Sequence, residues 1–375
     1  MRVLLVAGAR PNFMKVAPIL EALHARRSGF PVQPLLVHTG QHYDTQMSDN
    51  FFRDLGMQMP DIHLGVGSGS HAEQTARVMV AFENTCIEHK PACVVVVGDV
   101  NSTLACAISA KKLGIQVAHV EAGLRSFDMN MPEEINRLCT DAISDFLFTT
   151  DQLAGENLVA EGCSIERIYF VGNTMIDSLQ KHLHRALSVS LPFGLAAGKY
   201  ALLTLHRPSN VDDPVGLQHL LGAINGLAEH IPVVFPVHPR TAQRMAKIRL
   251  HEDVRVIEPL GYLAFLGLMA QARMVLTDSG GIQEETTVLN IPCLTLRNNT
   301  ERPITCKQGT NTVVGTDPSN ILRSALQVLA APLLQTHIPE KWDGHAGERI
   351  ADVLLDWLSL NPAVTVPQHL EQSPQ

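Results

Sequence analysis

The stretch VLTDSGGIQEE, residues 275–285, decides the fold. The apolar run that leads into it ends at Asp278 and Ser279, both N-cap residue types, and Gly280 and Gly281 then leave room for the backbone to turn into a helix. A buried strand running straight into a helix start is the repeating connection of a parallel α/β sheet. Such a terminus presents bare N–H groups that suit a phosphate. Two carboxylates at the same spot would repel one. If Ser279 is the cap, however, Glu285 lies about 9 Å down the axis at ~1.5 Å per residue, the reach of a ribose from its phosphate. A surface capping motif fits the same letters equally well.

Working outward, short runs rich in Val, Leu and Ile recur between longer amphipathic segments. In the first half they cover residues 3–8, 34–40, 93–99, 117–123, 146–150 and 168–173; in the second, 200–206, 232–238, 254–259, 274–281, 293–297 and 311–315. This pattern predicts an α/β protein of two Rossmann-like, doubly wound domains. The expected boundaries are 1–174 and 175–346, with a C-terminal helix in 347–375 packing back onto the first domain. In open α/β sheets ligands sit outside the carboxyl ends of the strands. There the chain places Arg10, His38, Gln41, His42, Asp99, Glu121, His206, Arg207, His238, Arg240, Asp278 and Ser279. Two such edges facing each other would make an interdomain cleft.

Composition narrows the function. With 375 residues and 45% hydrophobic content the chain can bury two cores. Charged residues make up 18% and the net charge is −8, so neither nucleic acid nor an acidic membrane surface is an expected partner. The seven cysteines never fall as C-x-x-C, which argues against a zinc knuckle and a disulfide framework and fits a reducing, cytoplasmic compartment. No stretch approaches the ~20 apolar residues of a membrane span. No strand end carries G-x-G-x-x-G or G-x-x-x-x-G-K-[ST], so neither a tightly held dinucleotide nor ATP hydrolysis is expected, and no cofactor is called for. The pair His38 and His42 lacks an evident third ligand for a metal.

The blocks GARPNFMKVAP (8–18), TGQH (39–42), GDVNST (98–103), HVEAGLRSFD (119–128), MPEEINR (131–137), VGNTMID (171–177), LHRPSN (205–210), DSGGIQEE (278–285) and TERP (300–303) together resemble the non-hydrolysing UDP-N-acetylglucosamine 2-epimerase family. The resemblance implies a glycosyltransferase-B-like fold, a homodimer, a UDP-sugar substrate and no cofactor. It further implies reversible epimerisation at C2 by loss and re-addition of UDP, a supply of precursors for cell-surface polysaccharide.

The roles it implies can be placed on this sequence. Asp99, Glu121, Glu133 and His206 match catalytic positions; Arg10, Lys15, Arg125, Arg137 and Arg207 match cationic or neighbouring substrate-binding ones. Ser279, Gly280 and Gly281 would take phosphate and Glu285 the ribose hydroxyls, with His238 and Arg302 nearby. Glu284 is expected to face solvent and Glu134 to be an ordinary helix-start charge. Gln41, His42 and Gln74 fit a second, activating substrate site, but Glu73 stands where members with that site carry a cation. Two further departures, the spacing from Glu121 to Glu133 and the motif LHRPSN, border the sugar and leave room for a modified hexose. A glycosyltransferase of the same fold, or a hydrolysing 2-epimerase releasing N-acetylmannosamine and UDP, are the competing readings.

Overall fold

The structure, a computed structural model, describes residues 1–26, 29, 31–40, 52–332 and 337–361, without the side chains of Arg10, Pro239 and Arg240. The chain divides into two compact units. One comprises Met1–Ser178 together with the segment from Glu340; the other is Leu179–Pro339.

In the first unit seven described strands form one sheet: β1 (Arg2–Ala7), β2 (Gln33–His38), β3 (Ile62–His63), β4 (Cys93–Val97), β5 (Gln116–Val120), β6 (Phe146–Thr149) and β7 (Ile168–Phe170). Their order is β3-β2-β1-β4-β5-β6-β7, with every pairing parallel. Helices cover the sheet, so its central strands are apolar along their whole length: Cys93 through Val97 are all buried. One core layer joins Leu4, Val6, Val94 and Val96 to Phe82 of the helix His71–His89.

In the second unit six described strands, β8 (Ala201–Thr204), β9 (Val233–Pro236), β10 (Val254–Ile257), β11 (Met274–Thr277), β12 (Cys293–Thr295) and β13 (Asn311–Val313), are ordered β10-β9-β8-β11-β12-β13, again all parallel. Leu203, Phe235 and Leu276 pack with Leu217, Leu221 and Ile224 of the helix Pro214–Ala228. Both sheets therefore reverse strand order at the same relative place, between β1 and β4 and between β8 and β11. The crevice beyond the strands at such a reversal is where α/β sheets bind ligands.

Two details differ from the sequence reading. The edge strand β3 is too short to show alternation. The return to the first unit begins at Glu340, earlier than the expected helix at 347. Trp342 is 2% exposed and donates its indole N–H to the Thr150 carbonyl at 2.9 Å. The N–H groups of Ala346 and Gly347 donate to the Asp177 carboxylate at 3.2 and 2.7 Å, which anchors the helix Ala346–Leu360. A Cβ at Gly347 would lie 2.7 Å from the backbone of Pro18, so glycine is what lets this helix approach the helix Arg10–Ala25. No described helix is long and apolar enough to cross a membrane.

Candidate active site

At the reversal in the first sheet, Asn12 stitches two strand ends together. Its Oδ1 accepts from the N–H of Gly8 and Ala9 at 3.1 and 2.8 Å, and its Nδ2 donates to the Val97 carbonyl at 3.2 Å. One turn further along the helix, Lys15 is 6% exposed and its Nζ lies 2.6 Å from Glu121 Oε2, so it is a buried partner and not a solvated helix charge. Glu121 itself adopts φ +72°, the left-handed region that costs a side-chain-bearing residue roughly 1 kcal/mol or more. Gly98, at φ +68°, leaves the space for this pair: a Cβ there would sit 3.1 Å from Lys15 Nζ and 3.7 Å from Glu121 Oε2.

Asp99 follows Gly98 with its side chain 28% exposed and ion-paired to Arg137, while its backbone carbonyl accepts from Asn136 Nδ2 at 2.9 Å. Arg137 is 2% exposed and also donates through Nη2 and Nε to Glu134 Oε2 at 2.5 and 3.0 Å. Glu134 is therefore not the ordinary surface charge the sequence indicated. It is 1% exposed and accepts from the N–H of Ser126 (3.0 Å) and Phe127 (2.9 Å) and from Ser126 Oγ (3.0 Å). Burial pushes its carboxyl up, but the Ser126 N–H and the Arg137 guanidinium outweigh this and hold it below the ordinary range. Glu133, one residue earlier in the first turn of the helix Pro132–Ile143, is half-buried.

Arg125, expected near the substrate, is buried and ion-paired. Its guanidinium is 2% exposed and directed inward, with Nη2 2.7 Å from Asp141 Oδ2 and donating to Glu161 Oε2 at 2.6 Å. In these contacts it braces the turn after β5. Asp141 also accepts the Gly123 N–H at 3.0 Å and faces His119 Nδ1 at 2.6 Å. His119 Nε2 donates to the Gly98 carbonyl at 2.8 Å, which ties the turn carrying Asp99 to the strand that leads into Glu121.

At the reversal in the second sheet the central group is Asp278, which is fully buried. It accepts from the N–H of His206 (3.1 Å), the N–H of Arg207 (3.0 Å) and Asn210 Nδ2 (3.1 Å), and lies 2.7 Å from His206 Nδ1. Burial would raise its carboxyl; the contact with His206 and the donors from Arg207 and Asn210 lower it further, so it stays ionised below the usual range. Ser279 holds the N-cap position of the helix Gly280–Leu289 in an extended conformation, yet its side chain caps nothing. The first N–H groups of that helix are thus not claimed by the cap side chain. A Cβ at Gly280 would meet Arg302 Nη1 at 2.3 Å and Glu301 Oε1 at 2.6 Å, so glycine admits this pair to the helix start.

The two carboxylates of the opening stretch are both buried, Glu284 at 1% and Glu285 at 4% exposure. The expectation that Glu284 faces solvent is overturned: its Oε1 lies 2.9 Å from Arg302 Nε, and Arg302 Nη1 donates to Glu301 Oε1 at 2.7 Å. Arg302 is accordingly held between two carboxylates at 5% exposure. Burial, and secondarily the charge of Glu284, push the Glu285 carboxyl up to about 8, and among the described residues its Oε1 has no hydrogen-bond partner. Arg207 lies 3.6 Å from Glu301, and His238 is exposed just after β9.

The side chain of Arg10, and Gln41 and His42, lie outside the described residues. Gln74, the third residue of the expected activating site, is 5% exposed, donates to the Gly67 carbonyl at 3.2 Å and accepts from Asn101 Nδ2 at 2.9 Å. Sequence reasoning missed Asp278, Glu301 and Asn12 as organising residues. Their signal is a contact between distant segments, which no local pattern carries.

A family model described as UDP-N-acetylglucosamine 2-epimerase matches residues 24–355. A UDP-N-acetylglucosamine 2-epimerase of Methanococcus maripaludis is 40% identical, over 93% of this chain and 97% of that protein. A UDP-2,3-diacetamido-2,3-dideoxy-D-glucuronate 2-epimerase of Pseudomonas aeruginosa is 41% identical, over 94% and 99%. The crystal structure of Methanocaldococcus jannaschii UDP-GlcNAc 2-epimerase in complex with UDP-GlcNAc and UDP superposes with a TM-score of 0.87 at 40% identity, covering 94% of this chain and 99% of that one.

Proposed function

Because the chain belongs to the UDP-N-acetylglucosamine 2-epimerase family, we propose that it interconverts the C2 epimers of a UDP-N-acetylhexosamine by eliminating UDP and adding it back. The C2 hydrogen of such a sugar is not next to a carbonyl, so a base alone cannot remove it to a stable enolate. Breaking the C1–O bond supplies the missing sink. The departing UDP takes the bonding pair, positive charge builds on C1 and the ring oxygen, and C2–H becomes acidic. Loss of that proton to a carboxylate leaves a glycal and UDP; protonation at C2 from the other face and return of UDP to C1 complete the exchange.

The first unit supplies the acid–base groups Asp99, Glu121 and Glu133, with Lys15 paired to Glu121 and Arg137 to Asp99, and Arg10 as a further substrate-binding cation by family resemblance. The second supplies the nucleotide grip through His206, Arg207, His238 and the helix start at Ser279, Gly280 and Gly281. Arg302 braces that helix start. The observation that carries the reading is Glu121, a buried carboxylate kept in a left-handed turn against Lys15 at 2.6 Å. Strain of this kind is held by the surrounding structure and clusters at active sites.

The direct test incubates the purified protein with UDP-N-acetylglucosamine in deuterium oxide, without acceptor or added cofactor. The epimer should appear with deuterium at C2, and each returned substrate molecule that has reacted should carry it too. An epimer that keeps its original hydrogen points to internal oxidation and reduction and removes the elimination mechanism. Free N-acetylmannosamine would mark hydrolysis. A second substrate reading, a hexose with a C3 amide and a C6 carboxylate, is favoured by the 41% identical Pseudomonas relative, and parallel incubation with that sugar nucleotide decides between them. The family resemblance and the cysteine pattern further support a cytoplasmic homodimer, whose mass light scattering would read.

Glu285 is assigned to the ribose hydroxyls. Their donated hydrogen bonds favour the charged carboxylate, so UDP binding should release a proton where the free group is still protonated, below about 8. Affinity then rises with pH as pH approaches about 8. In the ligand-free fold the same raised value acts the other way, and stability falls as pH climbs from 4.5 through about 8. Calorimetric titration at pH 7 in two buffers of different ionisation enthalpy should show fewer protons released by Glu285→Gln, and Glu285→Ala should bind UDP about tenfold more weakly. Equal proton release by variant and wild type would take Glu285 off the ribose.

A further inference from the structure

We propose that Asp278 is the positioning residue for His206: it keeps the ring proton on Nδ1 and confines proton exchange with the ligand to Nε2. The proposal rests on the reading of His206 as the histidine that meets the diphosphate. Asp278 belongs by sequence to the helix-start motif DSGG, and an N-cap type in that place is expected to serve the helix. Its hydrogen bonds run elsewhere. Among the described residues its donors all belong to the segment after β8: the N–H groups of His206 and Arg207, and Asn210 Nδ2 at 3.1 Å.

These donors lock the carboxylate itself. Asn210 Nδ2 also donates to the Leu296 carbonyl at 3.0 Å, so the segment is tied to the end of β12 as well. The fourth contact, Asp278 Oδ1 to His206 Nδ1 at 2.7 Å, is unlike the others because the ring it holds is 58% exposed while the carboxylate is fully buried. A side chain that far out in solvent gains little from packing and is otherwise free to turn about its χ angles. An ionised carboxylate only accepts, so Nδ1 must carry the hydrogen. Which nitrogen of a histidine is protonated is set by the bond the other makes. Nε2, turned away from Asp278, is then a bare acceptor in the neutral ring and a donor in the protonated one. A proton passing between the ring and a phosphoryl oxygen moves through that nitrogen alone. A role limited to shaping the loop would need only the backbone bonds.

The test combines nitrogen-15 NMR of the imidazoles with steady-state kinetics on Asp278→Asn, His206→Gln and the double variant. The difference spectrum between wild type and His206→Gln assigns the His206 ring, and in the wild type its neutral form should be the Nδ1–H tautomer; the Nε2–H tautomer there overturns the proposal without any change at Asp278. In Asp278→Asn the amide can present its N–H to the ring, so the tautomer should switch to Nε2–H. Its kcat for C2 epimerisation should fall tenfold to a hundredfold, while KM and the Kd for UDP stay within about threefold. In the His206→Gln background Asp278→Asn should cost nothing more. A full further loss in that background means Asp278 acts through the fold, and the proposal fails alone. Wild-type turnover by His206→Gln removes the histidine from the mechanism, and the proposal falls with that reading.

Discussion

Glu121→Gln is expected to lower turnover by two to four orders of magnitude while UDP still binds. The substitution is nearly isosteric, yet it removes the anion that can take a proton or face positive charge on the sugar, and general acid–base groups are commonly worth about 10²- to 10⁴-fold. Two features raise the expectation above that for an ordinary carboxylate. Lys15 Nζ sits 2.6 Å from Glu121 Oε2 with both side chains buried, so the neutral amide also leaves a buried ammonium without its counter-charge. Glu121 also holds its left-handed φ of +72° at a standing cost, so part of what keeps the turn in place goes with the ion pair. Rapid-quench measurement of epimer formation and of deuterium entry at C2 should show both falling together, with the calorimetric Kd for UDP near the wild-type value. Wild-type turnover in the variant would take Glu121 out of the catalytic set.

Glu134→Ala is expected to destabilise the first unit by about 3 kcal/mol, as for a buried ion pair broken from one side. The carboxylate serves the N–H groups of Ser126 and Phe127, the Ser126 hydroxyl and two donor atoms of Arg137. Alanine leaves the buried Ser126 donors unsatisfied and takes from the buried Arg137 guanidinium one of its carboxylates, Asp99 remaining as another. Urea denaturation at neutral pH should show the lower midpoint. Because the folded carboxyl is held below its ordinary 4.5, its contribution is present above that pH and is lost as pH falls through the lowered value. The variant and wild type should therefore converge in acid. A midpoint unchanged at neutral pH would return Glu134 to the solvated charge that its position in a first helical turn indicates.

Most of the fold is legible in the sequence because parallel strands covered on both faces must be apolar throughout. Each of the twelve Val-, Leu- and Ile-rich runs overlaps one strand, starting within a residue of it, and the runs overshoot at their carboxyl ends into residues such as Gly98 and Asp99. The edge strand β3, two residues long, leaves no such trace. Side-chain partnerships are less legible. Lys15 meets Glu121 across 106 positions and His206 meets Asp278 across 72, distances at which no periodicity operates. Charge was the misleading signal at Glu134 and Glu284. Both look solvated by type, and both are buried because an arginine, Arg137 or Arg302, compensates them from another turn or segment.

The late return of the chain to the first unit bears on how the protein is made. A ribosome that has finished Ser178 must still translate the ~160 residues of the second unit before Glu340 emerges, on the order of ten seconds or more at typical elongation rates. Throughout that delay the Thr150 carbonyl lacks Trp342, the Asp177 carboxylate lacks the N–H groups of Ala346 and Gly347, and the face of the helix Arg10–Ala25 around Pro18 is uncovered. The second unit is contiguous and can close as soon as it clears the exit tunnel. The half of the protein synthesised first is thus the half completed last, and a nascent chain in between offers chaperones an apolar helix face that the mature enzyme never shows.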